Sequence, residues 1–131
     1  LDPEERIRFR TLLAELGGDR IVILSTHIVE DIAQTCRYLA LMRSGQVLFR
    51  GTIAELVEAA RGKVWTLATS GAKPAGDATV ISMQHFGDSV QYRLVSEATP
   101  GSGAQAVEPT LEDSYVWFMR DRQAPRKAAL V

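Results

Sequence analysis

The sequence predicts an α/β chain followed by a small α+β part, and three observations carry that prediction. A β-branched apolar run at 21–24 (IVIL) sits between two helix-type patterns, as in a strand buried on both faces of a sheet. Turn pairs at Ser44-Gly45 and Gly87-Asp88 separate short apolar runs, as in antiparallel hairpins. A Thr-x-x-Glu pattern, Thr52 to Glu55, precedes one apolar helical stretch, and Thr110, Leu111, Glu112 and Asp113 open another.

In chain order, Asp2 reads as an N-cap and Pro3 as the first helical residue, with Glu5 placed to close a capping box. Phe9, Leu12, Leu13 and Leu16 recur at helical spacing, and Gly17-Gly18 supplies the stop. After the run at 21–24 come Ser25, Thr26 and His27, and then a helix with the stripe Ile28, Val29, Ile32, Ala33 and Cys36. Glu30 and Asp31 lie in its first turn, where the helix dipole favours them. A run at 38–42 is expected to complete a right-handed crossover with a strand parallel to 21–24. Residues 47–49 return antiparallel through Ser44-Gly45. Thr52 and Glu55 then open a short helix burying Ile53, Leu56 and Val57, stopped at Gly62. Up to this point the pattern is half of a doubly wound domain.

From Lys63 the character changes. Strands are expected at 64–68, 79–86 and 89–95, with a Gly/Ala/Pro-rich loop at 70–76 and a flexible linker at 100–105. A last helix from Thr110 places Leu111, Tyr115, Phe118 and Met119 on one face, and the aromatic group Tyr115, Trp117 and Phe118 reads as packing or docking surface. The basic residues Arg120, Arg122, Arg126 and Lys127 read as a solvated tail. The chain divides as 1–62, 63–122 and a loose 123–131.

Composition narrows the function classes. With 131 residues, 46% hydrophobic and a net charge of -1, this is an ordinary globular chain without the basic excess of a nucleic-acid binder. The single cysteine, Cys36, excludes an internal disulfide, and no apolar run approaches the roughly 20 residues of a membrane span. Two histidines, His27 and His85, offer no metal-ligand spacing. His27, at the carboxyl end of the expected strand, is placed where sheets of this class meet anions. A lone histidine there equally caps a helix. Asp2 is accounted for as a cap and His85 as a sheet residue. Ser25 with His27 has no orienting acid, which argues against a self-contained hydrolase.

The ordered set LDP at Leu1, Asp2 and Pro3, STH at Ser25 to His27, the helix with Glu30-Asp31, and LALMRSGQVLFRGT ending at Thr52 resembles the back half of an ABC transporter ATP-binding subunit. The resemblance covers residues 1 to about 60 and implies the distal part of a P-loop NTPase (RecA-like) nucleotide-binding domain. It implies that Leu1, Asp2 and Pro3 belong to the D-loop at a subunit interface. His27 would be the switch histidine of the H-loop, hydrogen-bonded to the γ-phosphate and helping to position the attacking water. GKVW before Thr66 and PTLEDSYVWF ending at Phe118 look like the extension on ATPase subunits of bacterial ABC-2-type exporters.

The phosphate-binding loop, the signature and the catalytic glutamate of that family have no counterpart in the sequence, which also contains no GxxxxGK[ST]. The chain starts at Leu1 rather than methionine, so it reads as a piece of something longer. What the resemblance implies for the intact subunit is an ATP hydrolase using ATP and Mg2+, paired head to tail with a second copy. It would drive a transmembrane permease for export from the cytoplasmic face of the membrane. The piece alone is expected to bind neither ATP nor Mg2+ tightly, to be inactive, and to expose an open sheet edge at 21–24 through which it self-associates. The alternative is a non-catalytic dimerisation or regulatory module centred on residues 63–131.

Overall fold

The computed structural model describes residues 2–18, 20–26, 29–74 and 76–120, with the side chains of Glu30 and Asp31 left out. Helix α1 (Pro3–Leu16) and helix α2 (Val29–Thr35) pack on each other. Strands β1 (Tyr38–Arg43) and β2 (Gln46–Thr52) form a two-stranded antiparallel sheet, and helix α3 (Ile53–Ala59) follows directly. Strands β3 (Val64–Thr69), β4 (Thr79–Phe86), β5 (Ser89–Val95) and β6 (Gln105–Ala106) make a second antiparallel sheet in the order β4-β5-β3-β6. Helix α4 (Leu111–Met119) closes the chain's described part and packs on α3, α2 and β5.

Local chemistry explains the element ends. Asp2 Oδ1 accepts from the Glu5 N–H at 2.8 Å and starts α1. Thr52 and Glu55 form a full capping box, with the Thr52 N–H donating to Glu55 Oε1 at 2.9 Å and the Glu55 N–H to Thr52 Oγ1 at 3.1 Å. Those bonds, the Thr52 backbone first and its hydroxyl second, hold the Glu55 carboxyl below its usual range. Ser44 (φ 51) and Gly45 (φ 76) both sit left-handed, as a type I′ hairpin requires. At Gly87-Asp88 only Gly87 has positive φ, 59°, the type II′ pattern.

The core lies between the second sheet and α4. Ala60, Val64, Val95 and Trp117 form one buried cluster, with Ile81, Val107, Val116 and Phe118 against it. Val90, Tyr92 and Leu94 form a second cluster on the other face, with Trp65 and Ala78 against it. Period-two alternation along β5 puts Val90, Tyr92 and Leu94 on that face and Arg93 with Val95 toward α4. Arg93 there grips Asp113 with two bonds, Nε to Oδ1 at 2.9 Å and Nη2 to Oδ2 at 2.5 Å.

Several expectations are corrected. Residues 21–24 form no strand: the segment from Ile21 to Thr26 is irregular, and β1 pairs only with β2. A strand exists only with a hydrogen-bonding partner, and none of the described strands lies beside it. The apolar face of α1 stays largely uncovered, with Phe9, Leu12 and Leu16 exposed, and among the described elements α2 makes its main contact. The expected linker at 100–105 ends inside β6, whose Gln105 and Ala106 pair with Thr66 and Trp65. In α4 the buried side chains are Asp113, Ser114 and Trp117, while Leu111, Tyr115, Phe118 and Met119 are only partly covered. The Arg93 pair and the Ala60–Val95 cluster turn the helix so that Trp117 faces inward. Arg120 is likewise no solvated tail residue, since its guanidinium stacks 3.2 Å from the centre of the Trp117 ring.

Burial raises the Asp113 carboxyl, but the Arg93 hydrogen bonds and those with Thr110 outweigh it and hold the group below the usual carboxylate range. A depressed carboxylate stabilises the fold fully above its unfolded value of about 3.9, and that contribution is lost as pH falls through the folded value. Urea titrations from pH 6 downward are therefore expected to show stability falling from about pH 4. Asp113→Asn is expected to cost about 3 kcal/mol at pH 6 and to flatten that acid slope. An unchanged slope in the variant would assign the acid sensitivity to other carboxylates.

Candidate functional site

The stretch singled out by the sequence lies between α1 and β1. Ile21 and Ile23 are 93% and 91% exposed, whereas Leu24 and Thr26 are partly covered. Beside this stretch is an open groove of about 630 Å3. Its walls are the last turn of α1 with Leu13, Ala14, Gly17 and Gly18, the returning chain at Arg20, Ile21, Val22 and Leu24, and the segment from Thr35 to Tyr38. Among the described residues that line it, Arg20 and Arg37 bring guanidinium groups to its border and none brings a carboxylate. Arg37 also lies 5.7 Å from the Tyr38 ring centre.

Asp2 and Pro3 stand at the opposite end of α1 from the groove, about 20 Å away by the rise of a helix. Asp2 is engaged as the N-cap, its side chain bonded to the Glu5 N–H. Leu1 and His27 lie outside the described residues. Ser25 is exposed. Cys36 is half-buried at the groove with its sulfur 3.6 Å from the Thr35 hydroxyl, in keeping with the packing role expected of it. His85 is exposed on β4. The structure thus brings Leu24 and Cys36 to one surface and keeps Asp2 apart from it.

Among the described residues no group of three or more His, Cys, Asp or Glu side chains is placed to hold a metal ion. Their glycines sit in turns and strand ends, and none opens a helix with a lysine and a hydroxyl following, as a triphosphate cradle requires.

Other polar and aromatic contacts join the first hairpin to α4. Arg43 Nη1 donates to the carbonyls of Met119 and Arg120 at 2.8 and 3.1 Å, capping the end of α4 from β1. Phe49 and Phe118 meet with ring centres 5.4 Å apart. Sequence reading passed over Arg93 and Arg43. A signal for Arg93 was present: a lone charge between Tyr92 and Leu94, in register with inward-facing Val95, demands a buried counter-charge.

Over 68 residues, 52% of this chain, the sequence is 31% identical to a Bacillus subtilis (strain 168) protein described as the uncharacterised ABC transporter ATP-binding protein YxlF. Over that span the chain is related to an ABC transporter ATP-binding protein. The chain spans 23% of that relative's length. No protein-family model matches the chain, and no solved structure matches it. No helix among the described residues is long and apolar enough to cross a membrane.

Because Ile21 and Ile23 face solvent, Ile21→Ser and Ile23→Ser are expected to change the unfolding free energy by less than about 0.5 kcal/mol each while raising solubility. Urea titration with a concentration series in light scattering checks both. A loss above about 1.5 kcal/mol would place these side chains in a core.

Proposed function

We propose that the chain is the carboxyl-terminal part of the ATP-binding, ATP-hydrolysing subunit of an ABC transporter, of the type that powers export. Residues 1–62 complete the nucleotide-binding domain in this reading, and residues 63–122 form its accessory extension. The observation that carries the proposal is the order and spacing of LDP at Leu1 to Pro3, STH ending at His27 and SGQVLFRGT ending at Thr52. The similarity to the YxlF protein over about half of the chain supports it.

In this reading the triphosphate cradle, Mg2+ and the catalytic glutamate are supplied by the remainder of the subunit. His27 contributes a hydrogen-bond donor toward the γ-phosphate, and Leu1, Asp2 and Pro3 meet a second, head-to-tail copy. The pair acts on a transmembrane permease from the cytoplasmic face of the membrane. The groove and the run at 21–24 are the surfaces on which the rest of the nucleotide-binding domain would sit, and their exposure supports that assignment.

Two measurements test the proposal. In the whole subunit, His27→Ala is expected to lower ATP turnover by about a hundredfold while changing nucleotide affinity less than about threefold. Turnover within a factor of two of the parent would remove His27 from the mechanism. The 131-residue chain by itself is expected to show no saturable Mg-ATP binding below about 1 mM in calorimetry. Micromolar binding by this chain would overturn the division of labour proposed for it.

A further inference from the structure

We propose that the outer edge of β4 is a homotypic docking surface, pairing antiparallel with β4 of a second copy about a two-fold axis through Gln84. Strand β4 ends the order β4-β5-β3-β6, so its outer side pairs with no described strand. The opposite edge of that sheet differs, because β6 covers β3 at Trp65 and Thr66. An exposed strand edge presents unpaired N–H and C=O groups, and proteins usually guard it with charges, prolines or a bulge. Strand β4, TVISMQHF, contains no charged residue and no proline.

One guard is present, and it sets the register. The ladder between β4 and β5 is irregular at Ile81, between Val80 and Ser82, which leaves residues 82–86 as the regular run. Every residue in that run is exposed, and Met83 at 48% and Phe86 at 56% expose large apolar side chains. The middle of the run is Gln84. A two-fold axis perpendicular to the sheet keeps each residue on its own face. To use the whole regular run it must pass beside Gln84. Gln84 then faces Gln84 of the second copy, Met83 faces His85, and Ser82 faces Phe86.

The absence of charge is what selects a second copy as the occupant. In a homotypic pairing a charged residue on the axis meets its own like, which is destabilising. Strand β4 is free of that penalty, and its central residue carries a side-chain amide that donates and accepts, so it is complementary to itself. Met83 and His85 share the face of Tyr92 and Val90, so the pairing extends the second apolar cluster across the axis. Gln84 and Ser82 share the face of Arg93, so both α4 helices lie on one side of a continuous sheet. The surface is separate from the groove at 21–24 and independent of the nucleotide-binding reading.

A pairing of this length buries less than the roughly 1,200 Å2 of a stable standard interface, which corresponds to a weak dimer of the chain alone. Sedimentation equilibrium of the 131-residue chain is expected to show a monomer–dimer equilibrium. Gln84→Lys, which sets two ammonium groups face to face on the axis, is expected to raise the dimer dissociation constant at least tenfold without altering the urea midpoint. In a Cys36→Ala background, oxidised Gln84→Cys is expected to form a covalent dimer, since directly opposed residues have Cα atoms within disulfide reach. Ser82→Cys mixed with Phe86→Cys is expected to cross-link far faster than either alone, which reports the register. A chain that stays monomeric at millimolar concentration overturns the proposal. So does a dimer that Gln84→Lys leaves intact, or one in which Gln84→Cys cross-links no faster than Asp88→Cys, because such a dimer uses another surface.

Discussion

One carboxylate holds the described fold together. Asp113 is 1% exposed, a burial that an unpaired carboxylate could not sustain, and its partners fix three pieces of chain at once. Arg93 brings in β5 through a two-point grip, and the same Nη2 donates to the Glu108 carbonyl at 3.1 Å, anchoring the segment that leads into the helix. The Thr110 N–H donates to Asp113 Oδ2 at 2.8 Å, so the carboxylate also closes the capping box that starts α4. The geometry of the ion pair therefore sets where the helix begins and how it is turned. Trp117, one turn further on, follows onto Ala60, Val64 and Val95.

The consequences run outward from Trp117. Its buried indole carries the Arg120 guanidinium over its ring, with the Lys63 ammonium 5.6 Å from its centre, and both cations reach Glu97. Phe118 meets Phe49 of β2, and Arg43 of β1 caps the helix end, so the first hairpin is fastened to the last helix. Arg61, just beyond α3, bridges Glu58 at 2.8 Å and Glu108 at 2.6 Å. Residues on the two sides of Gly62 thus share one core, and the composition change at Lys63 does not coincide with a gap in packing.

What the sequence made legible is what local chemistry decides. The Thr52 capping box, both tight turns and the extents of β4 and β5 follow from residues within a few positions of one another. What it left illegible depends on partners distant in the chain. The run at 21–24 has the composition of a buried strand, yet composition cannot supply a neighbouring strand. Leu111, Tyr115, Phe118 and Met119 have the spacing of an inward face, but a single ion pair to Arg93, 20 positions away, turns Trp117 inward instead. His27 gains meaning only from its place between LDP and SGQ, a long-range pattern of motifs rather than a local structure, and it lies outside the described residues.

Two of the uncovered regions, the run at 21–24 and the edge of β4, differ in a way that separates their partners. Residues 21–24 alternate nothing: Ile21, Val22, Ile23 and Leu24 are all apolar, so both faces of the segment ask for burial. Exposing a side chain of that size instead of burying it costs about 1.5–3 kcal/mol, which sets local composition against local environment at Ile21 and Ile23. That conflict disappears only inside a sheet covered on both sides, the setting which the proposed nucleotide-binding domain would provide. Strand β4 has no such conflict over its regular run, where Ser82, Gln84 and His85 are polar and Met83 and Phe86 apolar. Such an edge tolerates water and accepts a strand, which is the behaviour required of a reversible contact. The buried-type segment calls for a permanent neighbour, and the uncharged edge for an intermittent one.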